Sequence, residues 1–280
     1  MQRPDFILIG AMKCGTSTLA TQLGLQKGIF MTTPKEPNFF SDDAIYAHGP
    51  EWYEALFKAA APHQLKGEAS THYTKLPTYP ATLERMLRML PDLKLVYMIR
   101  NPVNRAVSHY MHEWSEGHMS SDAAQAFEQA SEIIDYGRYG MQIAPFVQAY
   151  GADRIHLTSL EQITMDPAGE FARITDFLGA SGSAWIEDLP AQNISAERVR
   201  RLPMQHILVD NAVATALRRA LVPKSMRRWV RKQRSMTTRP EVPDDLRARM
   251  QHSFLQDREA LAVHFPAHPA LELCYPFATP

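Results

Sequence analysis

The stretch "FILIGAMKCGTST", residues 6–18, decides how the rest of the chain is read. An apolar run ends at Gly10, a second glycine follows at Gly15, and three hydroxyl residues, Thr16, Ser17 and Thr18, come next. This is nearly the phosphate loop G-x-x-x-x-G-K-[ST], which joins a strand to a helix. The position after Gly15, where that loop carries its lysine, is Thr16, and the only nearby lysine is Lys13, inside the loop. A helix N-terminus favours an anion because its first amides are unpaired and the helix dipole is positive there. Gly15 lets the backbone come close to a phosphate, the hydroxyls add donors, and Lys13 adds a point charge. A nucleoside triphosphatase is disfavoured: its lysine is displaced, and no apolar strand ends in an obvious magnesium-binding Asp.

Working outward, apolar segments at 6–11, 65–70, 94–100 and 154–160 are expected strands. Helical patterns are expected at 16–27, 50–60, 78–90, 122–136, 139–150, 167–178 and 243–263, and after Pro102, which suits a first helical position. Strand and helix alternate, so the expected class is α/β: a P-loop-like central parallel β-sheet flanked by helices on both faces, in a single domain. Residues 1–180 are read as its core, and 181–280 as a C-terminal loop or lid with helices. In the helix after Pro102, Val103, Ala106, Val107, Tyr110, Met111 and Trp114 form one apolar face. Asn104, Arg105, Ser108 and His112 form a polar stripe with reach to a ligand. Arg100 ends the preceding strand, where ligands of open α/β sheets bind. It could grip a phosphate bidentately while Ser108 donates one more bond.

At 280 residues the chain can bury a substantial core, and thirty basic residues balance thirty acidic ones, so no global field points to nucleic acid or an anionic membrane. The two cysteines, Cys14 and Cys274, indicate no disulfide framework, and no apolar run approaches a membrane span. A cytoplasmic location is the expectation. One basic stretch stands out, 218–239, which contains many Lys and Arg and no acid.

Taken together, "PDFILIGAMKCGTSTL" and, some eighty residues later, "KLVYMIRNPVNRAVSHY" resemble the sulfotransferases that use 3′-phosphoadenosine 5′-phosphosulfate. The resemblance continues through "TTPKEPNFF" (32–40), "GEASTHY" (67–73) and "DPAGEFARITDFLG" (166–179), and is closest to the heparan-sulfate type and its bacterial relatives. It implies that Lys13, Gly15, Thr16, Ser17 and Thr18 cradle the 5′-phosphosulfate, with Lys13 at the breaking bond. It also implies that Arg100 and Ser108 hold the 3′-phosphate. Positioning and charge stabilisation then suffice, and no metal is needed.

An acceptor hydroxyl or amine must lose a proton, and two bases compete. Glu36 matches the base of the heparan-sulfate type, and is preferred; His72 lies close to where small-molecule enzymes of the family place a histidine. Glu68 is either structural or orients the cleft. At Ala69 the chain departs from the heparan-sulfate pattern, which usually has Lys there; this argues against a long, highly sulfated polysaccharide. The acceptor is expected to be a small molecule or a glycan or lipid hydroxyl, with oligomeric state left open. In the family a late basic loop closes over the 3′-phosphate, and here "RKQRSMTTRP" (231–240) offers Lys232, Arg234 and Arg239. Two rival readings stand beside this one: a nucleotide or small-molecule kinase with a variant loop, and a nucleotide-binding module without catalysis.

Overall fold

The computed structural model describes residues 2–120, 122–187, 189, 198–199, 235–236 and 239–278. Five strands, β1 (Phe6–Gly10), β2 (Ile29–Met31), β3 (Leu65–Ala69), β4 (Lys94–Ile99) and β5 (Ile155–Ser159), pair in parallel in the order β2-β3-β1-β4-β5. Every residue of β1 is buried, as a central strand covered on both faces requires. The chain builds one side of β1 first (β2, β3) and then crosses to the other (β4, β5). The order therefore reverses at β1, and the loop after it opens at the switch point where ligands of such sheets bind.

All four expected strands form. The fifth, β2, was missed because three residues are too few to show a period. Among the described residues the α-helices are α1 (Thr16–Gly24), α2 (Asp43–Tyr46), α3 (Pro50–Ala55), α4 (Thr82–Met89), α5 (Pro102–Glu116), α6 (Ala123–Gln129), α7 (Glu132–Asp135), α8 (Tyr139–Tyr150), α9 (Leu160–Met165), α10 (Pro167–Leu178), α11 (Asp244–His264) and α12 (Ala270–Leu273). The pattern at 122–136 is thus two short helices. The six apolar residues expected on α5 are all buried. Arg105 corrects the polar stripe: it is fully buried, donating to Ile133 O and meeting His109 Nδ1 at 3.5 Å, and faces no open cleft.

Arg198–Val199 and Ser235–Met236 pair antiparallel as β6 and β7, and β6 lies against α5. Lys232 and Arg234 lie outside the described residues. The long helix α11 packs on α8 and fixes its start: Asp257 Oδ2 accepts from Gly140 N at 2.7 Å and Oδ1 from Met141 N at 2.8 Å. A carboxylate there satisfies the amides that the helix leaves unpaired and faces the positive end of its dipole. No helix among the described residues is long and apolar enough to cross a membrane.

Candidate active site

The loop after β1 is shaped by two glycines. Gly15 caps α1 in the left-handed region at φ 94°, which favours glycine, and a Cβ there would press on Leu160 and Met98. No side chain caps α1; Thr18 N donates to Gly15 O at 3.0 Å, and the helix start is where an anion is favoured. At Gly10 a Cβ would overlap Thr74 Oγ1, whose hydroxyl donates to Ile9 O at 2.9 Å. Lys13 takes a positive φ of 68°, and Thr16 is buried at the helix start while Ser17 and Thr18 are half-buried beside it.

Arg100 joins this loop from the end of β4: its Nη1 donates to Lys13 O at 3.2 Å, and its Nε is buried without a hydrogen-bond partner. A buried guanidinium N–H with no acceptor is costly unless a ligand supplies one. Beneath both segments lies Tyr139, the first residue of α8. Its hydroxyl donates to Arg100 O at 2.9 Å and lies 3.5 Å from Cys14 Sγ. Cys14, a residue without an evident role in the sequence, is fully buried there, and burial pushes its thiol up to about 11. It acts as a packed contact and not as a thiolate. Ser108 is 2% exposed on α5, the helix against which β6 lies. Arg239, from the basic stretch, arrives at the same place. Its Nη2 donates to Asn104 O at 2.7 Å, and burial first, then the like charge of Arg100, hold its guanidinium below the usual value.

The two candidate bases share a second wall. Glu36 N donates to Ala69 O at 3.0 Å, and its carboxylate accepts from Lys35 Nζ at 2.6 Å and Thr71 Oγ1 at 3.3 Å. Burial raises the Glu36 carboxyl, but Lys35, His72 and Lys75 outweigh it and hold the group below its ordinary value. His72 stacks on Tyr79 with ring centroids 4.9 Å apart; burial, then Lys75, lower it to about 4 despite Glu36. At neutral pH both groups are therefore unprotonated and able to accept a proton.

A match to the sulfotransferase domain family covers residues 3–259. The chain belongs to the sulfotransferase family. It is 32% identical over 187 residues to human heparan sulfate glucosamine 3-O-sulfotransferase 6, covering 63% of this chain and 52% of that protein. Against the mouse 3-O-sulfotransferase 3B1 it is 31% identical over 190 residues, covering 64% and 46%. The chain thus spans about half the length of the curated relatives it matches. A solved sulfotransferase from Alicyclobacillus acidocaldarius shares the fold at a TM-score of 0.69, with 22% identity over 97% of this chain and all of that one. A sulfotransferase domain from the curacin biosynthetic pathway aligns at a TM-score of 0.50 and 16% identity, over 91% and 98%.

Sequence reasoning missed Lys75. Its side chain is 8% exposed, and its ammonium lies 5.6 Å from the centre of the Tyr136 ring. Burial lowers it to about 8, against the pull of Glu36 and Glu113. The expectation of a cleft short of positive charge, drawn from Ala69, overlooks this buried amine. Lys75 follows a one-turn helix (Thr71–Thr74), where no periodicity gives it away. Tyr139 was equally hidden, because its site contact is made through a hydroxyl at the start of an otherwise ordinary core helix.

Proposed function

We propose that this chain transfers the sulfuryl group of 3′-phosphoadenosine 5′-phosphosulfate to an acceptor hydroxyl. The observation that carries this reading is Arg100, which touches the loop through Lys13 O while a second, buried N–H of its guanidinium lacks an acceptor. The residues present fit the donor's two anionic ends. Lys13, Gly15, Thr16, Ser17 and Thr18 would take the 5′-phosphosulfate. Arg100, Ser108 and Arg239 would take the 3′-phosphate. The donor supplies an activated sulfuryl group on a phosphate leaving group.

Lys13 then neutralises charge that grows on the phosphate oxygen as the bond breaks, a contribution made in the transition state more than in the ground state. Glu36 takes the acceptor proton. A carboxylate below its ordinary pKa is a weak base, yet a loose transition state leaves that proton until the acceptor oxygen has become acidic. The acceptor we favour is a sugar hydroxyl on a chain less charged than heparan sulfate, since position 69 is Ala and Lys75 supplies a single buried amine at this wall among the described residues.

Calorimetric titration separates this from a kinase. Binding of 3′,5′-ADP that needs no magnesium is expected, and magnesium-dependent ATP binding in its place would overturn the reading. A radiolabelled-donor screen of sugars, phenols, lipids and polyketide alcohols, with Lys13→Ala as control, then identifies the acceptor. Failure of every acceptor would favour a binding module.

A further inference from the structure

The segment carrying Glu36 has an unusual backbone. Glu36 and Asn38 both take positive φ, 61° and 53°, a region that costs non-glycine residues and persists only where surroundings enforce it. Three alternate amides of this segment are tied down. Glu36 N donates to Ala69 O at 3.0 Å, Asn38 N to Ser70 Oγ at 3.1 Å, and Phe40 N to Tyr73 Oη at 3.5 Å. The two side-chain acceptors lead to one atom: Ser70 Oγ donates to Glu68 Oε1 at 2.6 Å, and Tyr73 Oη donates to the same oxygen at 2.7 Å. The other carboxylate oxygen, Oε2, accepts from Tyr53 Oη. Glu68 is fully buried and spends its acceptor sites on these three hydroxyls.

We propose that Glu68 is a positioning residue for the reaction, a buried acceptor hub that acts through Ser70 and Tyr73 to hold the Glu36 segment in its strained, productive form. The inference rests on the transferase reading, with Glu36 as base. The hub aims the Ser70 and Tyr73 hydroxyls: each gives its proton to Glu68, which leaves the oxygen lone pairs facing the loop amides. Without that acceptor both hydroxyls are free to rotate and compete as donors, and the amides of Asn38 and Phe40 lose their partners. Tyr53 bonds the same carboxylate but touches no loop amide through its hydroxyl, so it separates the relay from the general packing of Glu68.

Two readouts test this, one of them independent of any acceptor. The first is amide hydrogen exchange at Asn38 and Phe40. The second is release of 3′,5′-ADP from the donor with a low-sulfated, glucosamine-containing oligosaccharide. Ser70→Ala combined with Tyr73→Phe is expected to speed exchange at both amides and lower kcat by about a hundredfold, the scale set by small misplacements of a reacting group. The affinity for 3′,5′-ADP stays unchanged. Tyr53→Phe is expected to leave both readouts near wild type. Glu68→Gln should rescue, because its oxygen can occupy the Oε1 position while its NH2 donates to Tyr53 Oη; Glu68→Leu should not.

Wild-type exchange and turnover in the Ser70→Ala/Tyr73→Phe variant would overturn the proposal. So would an equal loss in Tyr53→Phe, or a loss in Glu68→Gln as large as in Glu68→Leu. If wild type itself releases no 3′,5′-ADP with this acceptor, the transferase reading with a sugar acceptor is what fails, and the exchange rates decide the hub alone.

Discussion

Arg100 Nη1 donates to the main-chain oxygen of Lys13 at 3.2 Å, which fixes the end of β4 against the loop after β1. One side chain thereby belongs to both halves of the anion site, so its loss should be felt as loss of nucleotide. Arg100→Met is expected to weaken 3′,5′-ADP by about tenfold to a hundredfold, the value of one or two charged hydrogen bonds. Calorimetry checks this, and unchanged affinity would remove Arg100 from the site.

Tyr139→Phe should show the same effect at one remove. The hydroxyl donates to Arg100 O at 2.9 Å and meets the Cys14 thiol, so its removal frees both segments without touching the ligand. A cost of about 1 kcal/mol in stability is expected, with an affinity loss of about fivefold. Thermal melting and titration of the same preparation measure both.

The two candidate bases are separated by substitution and not by pH. Glu36 sits below its ordinary carboxylate value and His72 at about 4, so both lose their protons on the acid side of neutrality. Turnover should be flat through neutral pH and fall only in that acid range, whichever group acts. Glu36→Gln is expected to lower kcat by about 10²–10⁴ with 3′,5′-ADP binding retained, while His72→Asn keeps most of the rate. The reverse result would exchange their roles.

Lys75 bears on stability more than on rate. Its amine titrates at about 8 when folded and at 10.5 when free, because burial opposes the charge. Between those values the unfolded chain binds more protons, so stability should rise with pH across that window, and the cost of burial is complete below about 8. Lys75→Met is therefore expected to stabilise the protein at pH 7 by up to about 3 kcal/mol, before the lost Tyr136 contact is subtracted. Its turnover at neutral pH should stay near wild type, since Lys75 is the weakest of the cations that lower Glu36 and the carboxylate remains ionised without it. A melting curve and a rate from one sample settle the signs.

The loop from Gly10 to Thr18 and Arg100 at the end of β4 stood out as candidates because each sits at a junction that leaves a mark in sequence. An apolar run stops, a glycine follows, and a helical period begins. The contacts that organise them were not legible. Tyr139, Asp257 and Glu68 act through one hydroxyl or one carboxylate on elements whose patterns describe only packing. Arg105 misled for a related reason: spacing placed it on the stripe of α5 with Ser108, but α7 covers that part of the helix through Ile133. Arg239 was named for its charge; its guanidinium meets Asn104 at the start of α5 and feels the charge of Arg100.

Arg105 also bears on what the nucleotide does for the protein. Its described partners are a carbonyl and a neutral histidine, and its charge reaches both Cys14 and Arg100. A buried cation without a carboxylate leaves the region behind the loop electrically unfinished. The anionic ends of the donor and of 3′,5′-ADP would supply the missing counter-charge. The nucleotide would then serve as an exchangeable counterion of the core, and each turnover would briefly return the enzyme to its less balanced, less heat-resistant form.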